Sequence, residues 1–284
     1  MIPLDHLERI IAKMKEPNAT DVLTANEKEK WALLSDDAKI EALENIVSSP
    51  VGCHKPPWAV VSWFFKTRWL EALQAVNLTA PASMLELASG ATDMLPKILA
   101  KFYHHPETSY TTANLNKELT AQFKNSTKDL PIKIDVIEDA AQTIENHFGD
   151  RKVDVVVFEH AFNDIVEDMI AVKNGIDTID INWMDILPQL IKATNDAYLN
   201  GTYETIIKEE FLQMLKSLIK ILKPGSFIIS HQFQYQLDLD LGIIPEIWSD
   251  LISTVREWIK EENIGKEVFI DGFEPNWWMF IQNV

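Results

Sequence analysis

The sequence predicts an α/β fold: a three-layer, doubly wound sheet of about seven strands with an antiparallel last strand, preceded by a helical segment. Three observations carry this. From residue 83 onward short apolar runs alternate with helical stretches, the signature of βαβ units and a mostly parallel sheet. The last two runs, 266–271 and 277–283, are joined by a short turn with Gly272 and Pro275. That turn is too short for a parallel crossover, so the pair is antiparallel. Residues 1–80 show helical patterns only.

The elements follow in order. Thr24 and Glu27 form a T-x-x-E capping box ahead of a helix over 25–34, and Ser35 caps the next, which runs to about Val47. The segment 48–58 (SSPVGCHKPPW) is a break with three prolines and a glycine. A helix over 59–76 is apolar around most of its circumference and therefore covered. Strands are expected at 83–88, 108–113, 132–137, 153–159 and 226–231, followed by the antiparallel pair. Helices fall between them at 93–103, 116–125, 140–148, 161–173, 204–222 and 245–262. The domain organisation is a helical cap over 1–80 and a sheet domain over 81–284, with an acidic helical insertion near 174–203. Residues 161–205 hold eight acids against two bases.

Composition bounds the function. With 284 residues, 46% apolar and 24% charged, the chain builds a full core as one large domain or a domain with a cap. Cys53 is the lone cysteine, which excludes a disulfide scaffold. No apolar run is long enough to span a bilayer, and the charged N-terminus lacks a signal-peptide core, so the expected location is cytoplasmic. The 43 acidic and 26 basic residues give a net charge of −17, which repels phosphate backbones and anionic lipids. Neither nucleic acid nor membrane is an expected partner. The oligomeric state is open between monomer and homodimer.

Open α/β sheets bind ligands beyond the carboxyl ends of their strands. That rule selects Glu86–Asp93, Asn114–Asn116, Glu138–Ala140, Glu159–Asp164 and His231–Tyr235. The first stretch, LELASGATD, leads from an apolar strand through small residues into a helix, where backbone can approach a ligand closely. A dinucleotide fingerprint would place three glycines there, and the chain has Ala88, Gly90 and Asp93 instead. A nicotinamide-dependent oxidoreductase is disfavoured for that reason and by the antiparallel final pair.

The order and spacing of these segments resemble a class I S-adenosylmethionine-dependent methyltransferase. MLELASGATDMLPKILA resembles the family's acidic residue and glycine loop. NLNKELT resembles the ribose-binding segment, and VIEDAAQ the adenine-contacting one. VDVVVFEHAFNDI resembles the fourth strand and its substrate-facing end. LKSLIKILKPGSFII resembles the helix, turn and fifth strand. The likeness covers about residues 83–284. It implies S-adenosyl-L-methionine as cofactor, with Glu86 near its methionine end and the Ala88–Ser89–Gly90 backbone beneath it. Asn114 and Leu115 lie at the ribose, Asp139 and Ala140 at the adenine, and Glu159 at the end of the fourth strand. Ala88 and Thr92 stand where the family has glycines. Asn114 stands where it has an acid, and can bond a hydroxyl without a carboxylate's charge.

Methyl transfer is an in-line displacement, served by alignment and exclusion of water, with a base where the nucleophile carries a proton. His160 and His231, at the ends of the fourth and fifth strands, are the expected bases, with Asp164 and Tyr235 behind them. His104, His105 and His147 precede strands, at the opposite end from the cleft. His54 adjoins Cys53, but sequence adjacency does not make a nucleophile pair. No metal-ligand spacing is present, so no metal is expected. In the family an N-terminal extension covers the cofactor. Arg68, within the aromatic cluster Trp58, Trp63, Phe64, Phe65 and Trp69, either holds the cofactor's carboxylate or makes a surface ion pair. The expected acceptor is an O or N atom of a small molecule, cationic or aromatic. A peptide or protein acceptor and a non-catalytic binding protein of this fold are the alternatives.

Overall fold

The computed structural model describes residues 4–51 and 57–284. The Cys53–His54 pair lies outside the described residues. The chain divides into two units, one holding the helices up to Ala75 with Gln234–Leu237, the other Val76–Phe233 with Asp238–Val284.

The first unit contains α1 (Leu4–Met14), a 3-10 turn (Ala19–Val22), α2 (Ala25–Ala32), α3 (Asp36–Ser48) and α4 (Trp58–Ala75). The capping box is formed: Thr24 Oγ1 accepts from the Glu27 N–H and Glu27 Oε2 accepts from the Thr24 N–H. Ser35 caps α3 through the Ala38 N–H at 3.2 Å. The Glu27 carboxylate also accepts from Lys66 Nζ at 2.7 Å and from the Ser62 hydroxyl. Burial pushes its pKa up, but these bonds outweigh burial and hold it at about 2. On α4, Trp63 is buried 5.3 Å from Trp31 and donates Nε1–H to the Ala19 carbonyl at 2.7 Å. Val51 pairs with 234–236, donating to the Gln234 carbonyl at 2.8 Å and accepting from the Gln236 N–H at 2.9 Å.

The second unit is built on seven strands: β1 (Ser83–Leu87), β2 (Ser109–Ala113), β3 (Lys133–Ile137), β4 (Val153–Glu159), β5 (Leu222–His231), β6 (Lys266–Glu267) and β7 (Trp278–Gln282). They are ordered 3-2-1-4-5-7-6. All inner pairs are parallel, and β7 alone runs against its neighbours β5 and β6. The doubly wound sheet with an antiparallel end is thus as the sequence predicts. Right-handed crossovers place α5 (Met94–Phe102) and α6 (Lys117–Thr127) on one face. A 3-10 turn (Ala141–His147), α7 (Phe162–Asn174), α8 (Trp183–Leu199) and α9 (Tyr203–Ile221) lie on the other. The chain closes through α10 (Gln236–Asp240), α11 (Pro245–Ser249) and α12 (Leu251–Glu262).

Strand alternation divides the side chains. Leu85 and Leu87 of β1, Phe158 of β4 and Ile281 of β7 enter one core with Phe162 of α7, Phe211 of α9 and Trp258 of α12. Glu86 therefore faces the opposite side. Four boundaries differ from the sequence reading, and the first is the fifth strand, which begins at Leu222 rather than 226. The expected helix at 140–148 is a 3-10 turn, a form suited to a short connector. The expected helix at 245–262 breaks at Asp250, which ends α11 and precedes α12. The strand expected at 266–271 stops at Glu267, as edge strands do, with one further bond from the Val268 N–H to the Phe280 carbonyl. Among the described residues no helix is long and apolar enough to cross a membrane.

Candidate functional site

The strand order reverses between β1 and β4, and the backbone is unusual at both strand ends. Ala88 has φ 53°, Gly90 φ 57° and His160 φ 50°, the left-handed region that non-glycine residues avoid. The Ala88 N–H donates to the Ala113 carbonyl at 2.9 Å, which fixes the turn against β2. Asn114 holds the rest of the loop. Its Oδ1 accepts from the Gly90 N–H at 3.0 Å and the Ser89 hydroxyl at 3.2 Å, and its Nδ2 donates to the Gly90 carbonyl at 2.8 Å. The side chain expected at a ribose is engaged with the β1 loop in this structure.

A cleft opens at the carboxyl ends of β1, β2 and β3. Of the residues singled out from sequence, Ala88, Gly90, Asn114, Leu115, Asn116, Asp139, Ala140 and Asp164 line it. Ser89 sits behind the wall, where its hydroxyl accepts from Thr112 at 2.9 Å. Glu86 is 1% exposed and accepts from the Tyr110 hydroxyl, whose ring stacks on Phe123 at 5.8 Å. Burial, with the Glu159 charge added, raises the Glu86 pKa well above the carboxylate range. Arg68 belongs to the helical unit, where its guanidinium pairs with Glu71.

Asp139 accepts from the Ala140 N–H at 2.8 Å, and its second oxygen lies 2.8 Å from His147 Nε2. That pairing corrects the placement of His147 at the far end of the sheet. The 3-10 turn spans seven residues and carries the ring back to the cleft rim. The hydrogen bond from His147 leads the interactions that hold the Asp139 carboxyl below its ordinary value.

The two strand-end histidines are not on the cleft wall. The His160 ring stacks on Phe233 at 4.2 Å and the His231 ring on Trp278 at 4.2 Å. Burial drives His160 down to about 3, so it stays neutral near pH 7 and takes a proton poorly. Carboxyls behave oppositely. Burial, with the charges of Asp238 and Glu159, pushes Asp164 up to about 8. Burial brings Glu159 to about 7 and Asp238 to about 6.

The remaining wall comes from residues the sequence reading did not assign, including Ile165, Asp168, Thr178 and Trp183. Asn116 explains why the 178–183 segment is there. Its Oδ1 caps α6 through the Glu118 and Leu119 N–H groups, and its Nδ2 donates to the Thr178 and Ile181 carbonyls at 3.0 and 2.8 Å. Thr178 in turn donates to Asp168 at 2.6 Å. That second grip of Asn116 reaches some sixty residues along the chain, beyond any local sequence pattern. Among the described residues no Lys or Arg lines the cleft.

No family model matches the chain, and no curated protein matches it. Solved structures do. A SAM-dependent methyltransferase from Aquifex aeolicus is 12% identical, with 74% of this chain and 86% of that one covered, at a TM-score of 0.45. The N-methyltransferase NodS from Bradyrhizobium japonicum WM9 is 12% identical, with 77% and 92% covered, at 0.43. A protein from Bordetella parapertussis described as a possible exported protein is 12% identical, with 99% and 98% covered, at 0.44.

Proposed function

We propose that the chain is an S-adenosylmethionine-dependent methyltransferase acting on an O or N atom of a small molecule. One observation carries the reading. The residues that resemble the family's cofactor segments, at Ala88–Gly90, Asn114–Leu115 and Asp139–Ala140, converge on a single cleft at the carboxyl ends of β1–β3. The cleft fits the group in its chemistry: among the described residues its wall carries no basic side chain that would repel a sulfonium, and Asp139 offers an acceptor at the β3 end.

When bound, the cofactor supplies an electrophilic methyl carbon on a positively charged sulfur. The chain's own residues supply position and environment. The left-handed turn at Ala88–Gly90 brings backbone to the ligand without a bulky side chain. Asn114 holds that turn, and Asp139, oriented by His147, offers an acceptor to the ligand's donors. Asp164 is the base best placed for an acceptor that arrives protonated. It lies on the cleft wall with a pKa of about 8, near the value that favours proton exchange at neutral pH. His160 and His231 serve as packing for the strand ends rather than as bases.

Calorimetric titration with S-adenosylmethionine, with NAD as control, tests the reading. Micromolar binding of the adenosyl ligand alone is expected. Binding of neither by protein stripped of co-purified ligand, or preference for NAD, would overturn it.

A further inference from the structure

Trp183 is the one aromatic side chain on the cleft wall among the described residues. It opens α8, where Asn182 caps the helix by accepting from the Met184 N–H at 2.9 Å. The side chain is half-buried. It packs against the small cluster of Ala171, Ile186 and Leu190 and also lines the cleft.

The segment that carries Trp183 is tied to the start of α6. Asn116 Nδ2 donates to the Thr178 and Ile181 carbonyls, and the Lys117 N–H donates to the Ile179 carbonyl at 3.0 Å. Asn182 Nδ2 donates to Glu118 Oε2 at 2.8 Å. Within the segment, Asp177 Oδ1 accepts from the Ile179 and Asp180 N–H groups at 2.8 and 3.0 Å. Thr178 ties its near end to Asp168 of α7. These bonds join the segment to the loop that leaves β2, so the indole is held in place before any ligand arrives. A held aromatic side chain offers a large contact area at little further entropic cost.

The wall also carries Leu115, Ala140 and Ala141, apolar residues at the ends of β2 and β3. An indole beside such surface suits a flat ring, which stacks on it through π faces and apolar area. We propose that Trp183 is a specificity-determining residue, whose indole stacks on the planar base of the nucleoside that the cleft binds. The inference rests on the cofactor reading above and adds to it a residue from the 174–203 insertion. An indole face also attracts cations. Adenosine separates the two cases, because it has the ring without the charge of the sulfonium.

The test is calorimetry on the full chain with adenosine and S-adenosylmethionine, for wild type, Trp183→Phe and Trp183→Leu. Thermal unfolding reports that each variant is folded. Trp183→Leu is expected to bind both ligands weaker by on the order of tenfold, the scale of one base stacked on one aromatic ring. Trp183→Phe keeps a ring and should stay within about threefold of wild type. Indole emission is expected to change when adenosine binds wild type, and most of that change should be missing in Trp183→Phe. That second readout stands even if the Leu variant does not fold. Adenosine bound by Trp183→Leu as tightly as by wild type overturns the proposal, as does a loss confined to S-adenosylmethionine. An emission change undiminished in Trp183→Phe overturns it too. All three outcomes leave the cofactor reading intact. If wild type binds neither ligand, the cofactor reading itself falls and this inference with it.

Discussion

Asn114 and Gly90 are joined by two hydrogen bonds, the Gly90 N–H donating to Asn114 Oδ1 at 3.0 Å and Asn114 Nδ2 donating to the Gly90 carbonyl at 2.8 Å. A carboxylate could accept the first bond but could not donate the second. Asn114→Asp is therefore expected to lose stability, although it restores the acid that the resemblance places there. Asn114→Ala should cost about 1–3 kcal/mol, the range for stranding buried polar groups. Urea unfolding of both variants checks this. An Asp variant as stable as wild type would show that the second bond contributes nothing.

Ala88 adopts a glycine conformation while carrying a methyl group. The left-handed region costs an L-residue roughly 1–2 kcal/mol, and glycine's extra freedom in the unfolded chain returns part of that. Ala88→Gly is expected to stabilise the fold by about 0.5–1 kcal/mol. The midpoint of chemical denaturation measures it. A fall in the midpoint would show that the methyl group's packing outweighs the backbone strain.

Glu27 makes the helical unit acid-sensitive. Its folded pKa of about 2 lies below its ordinary 4.5, so its contribution is present above pH 4.5 and is lost as pH falls toward 2. Glu27→Gln should lower stability at pH 6 and leave the chain less dependent on pH between 4.5 and 2 than wild type. Thermal melts across that window test the sign. The NMR titration of the Glu27 side chain reads the value directly.

The buried carboxyls Asp164 and Glu159 work in the opposite direction. Asp164 at about 8 and Glu159 at about 7 are raised above their unfolded values. Stability is therefore fully present below about pH 4 and falls as pH climbs through 7 to 8. Asp164→Asn removes one ionisation and should flatten that decline, so the variant is favoured over wild type at pH 8.5 more than at pH 5. Equal pH slopes for the two proteins would place the Asp164 pKa in the ordinary range.

Asn116 both caps α6 and grips the 178–181 segment. Asn116→Ala is expected to cost about 0.5–2 kcal/mol as a lost cap. It should also raise amide exchange at Lys117, whose N–H donates to the Ile179 carbonyl at 3.0 Å. Hydrogen–deuterium exchange resolves the two effects, because a lost cap alone leaves that amide protected.

The sheet was legible in the sequence because its signals are local. Runs such as VDVVVFE and SMLEL repeat over a few residues, and a short turn dictates an antiparallel partner by reach alone. Strand ends follow from strand positions, so the carboxyl-end rule selects stretches that include Ala88, Gly90, Asn114, Asp139 and Asp164, all of which line the cleft. The capping box at Thr24 and Glu27 was equally local. What a side chain does once it arrives was not legible. Glu86 meets Tyr110, Asn116 meets Thr178, His147 meets Asp139 across a 3-10 turn, and Asp164 feels Asp238 from a helix more than seventy residues away. Periodicity records which face a residue takes along its own element. Burial, hydrogen-bond partners and shifted proton affinities come from elements that only folding brings together, as where the rings of His160 and His231 stack on Phe233 and Trp278 and where burial raises the Asp164 carboxyl on the cleft wall.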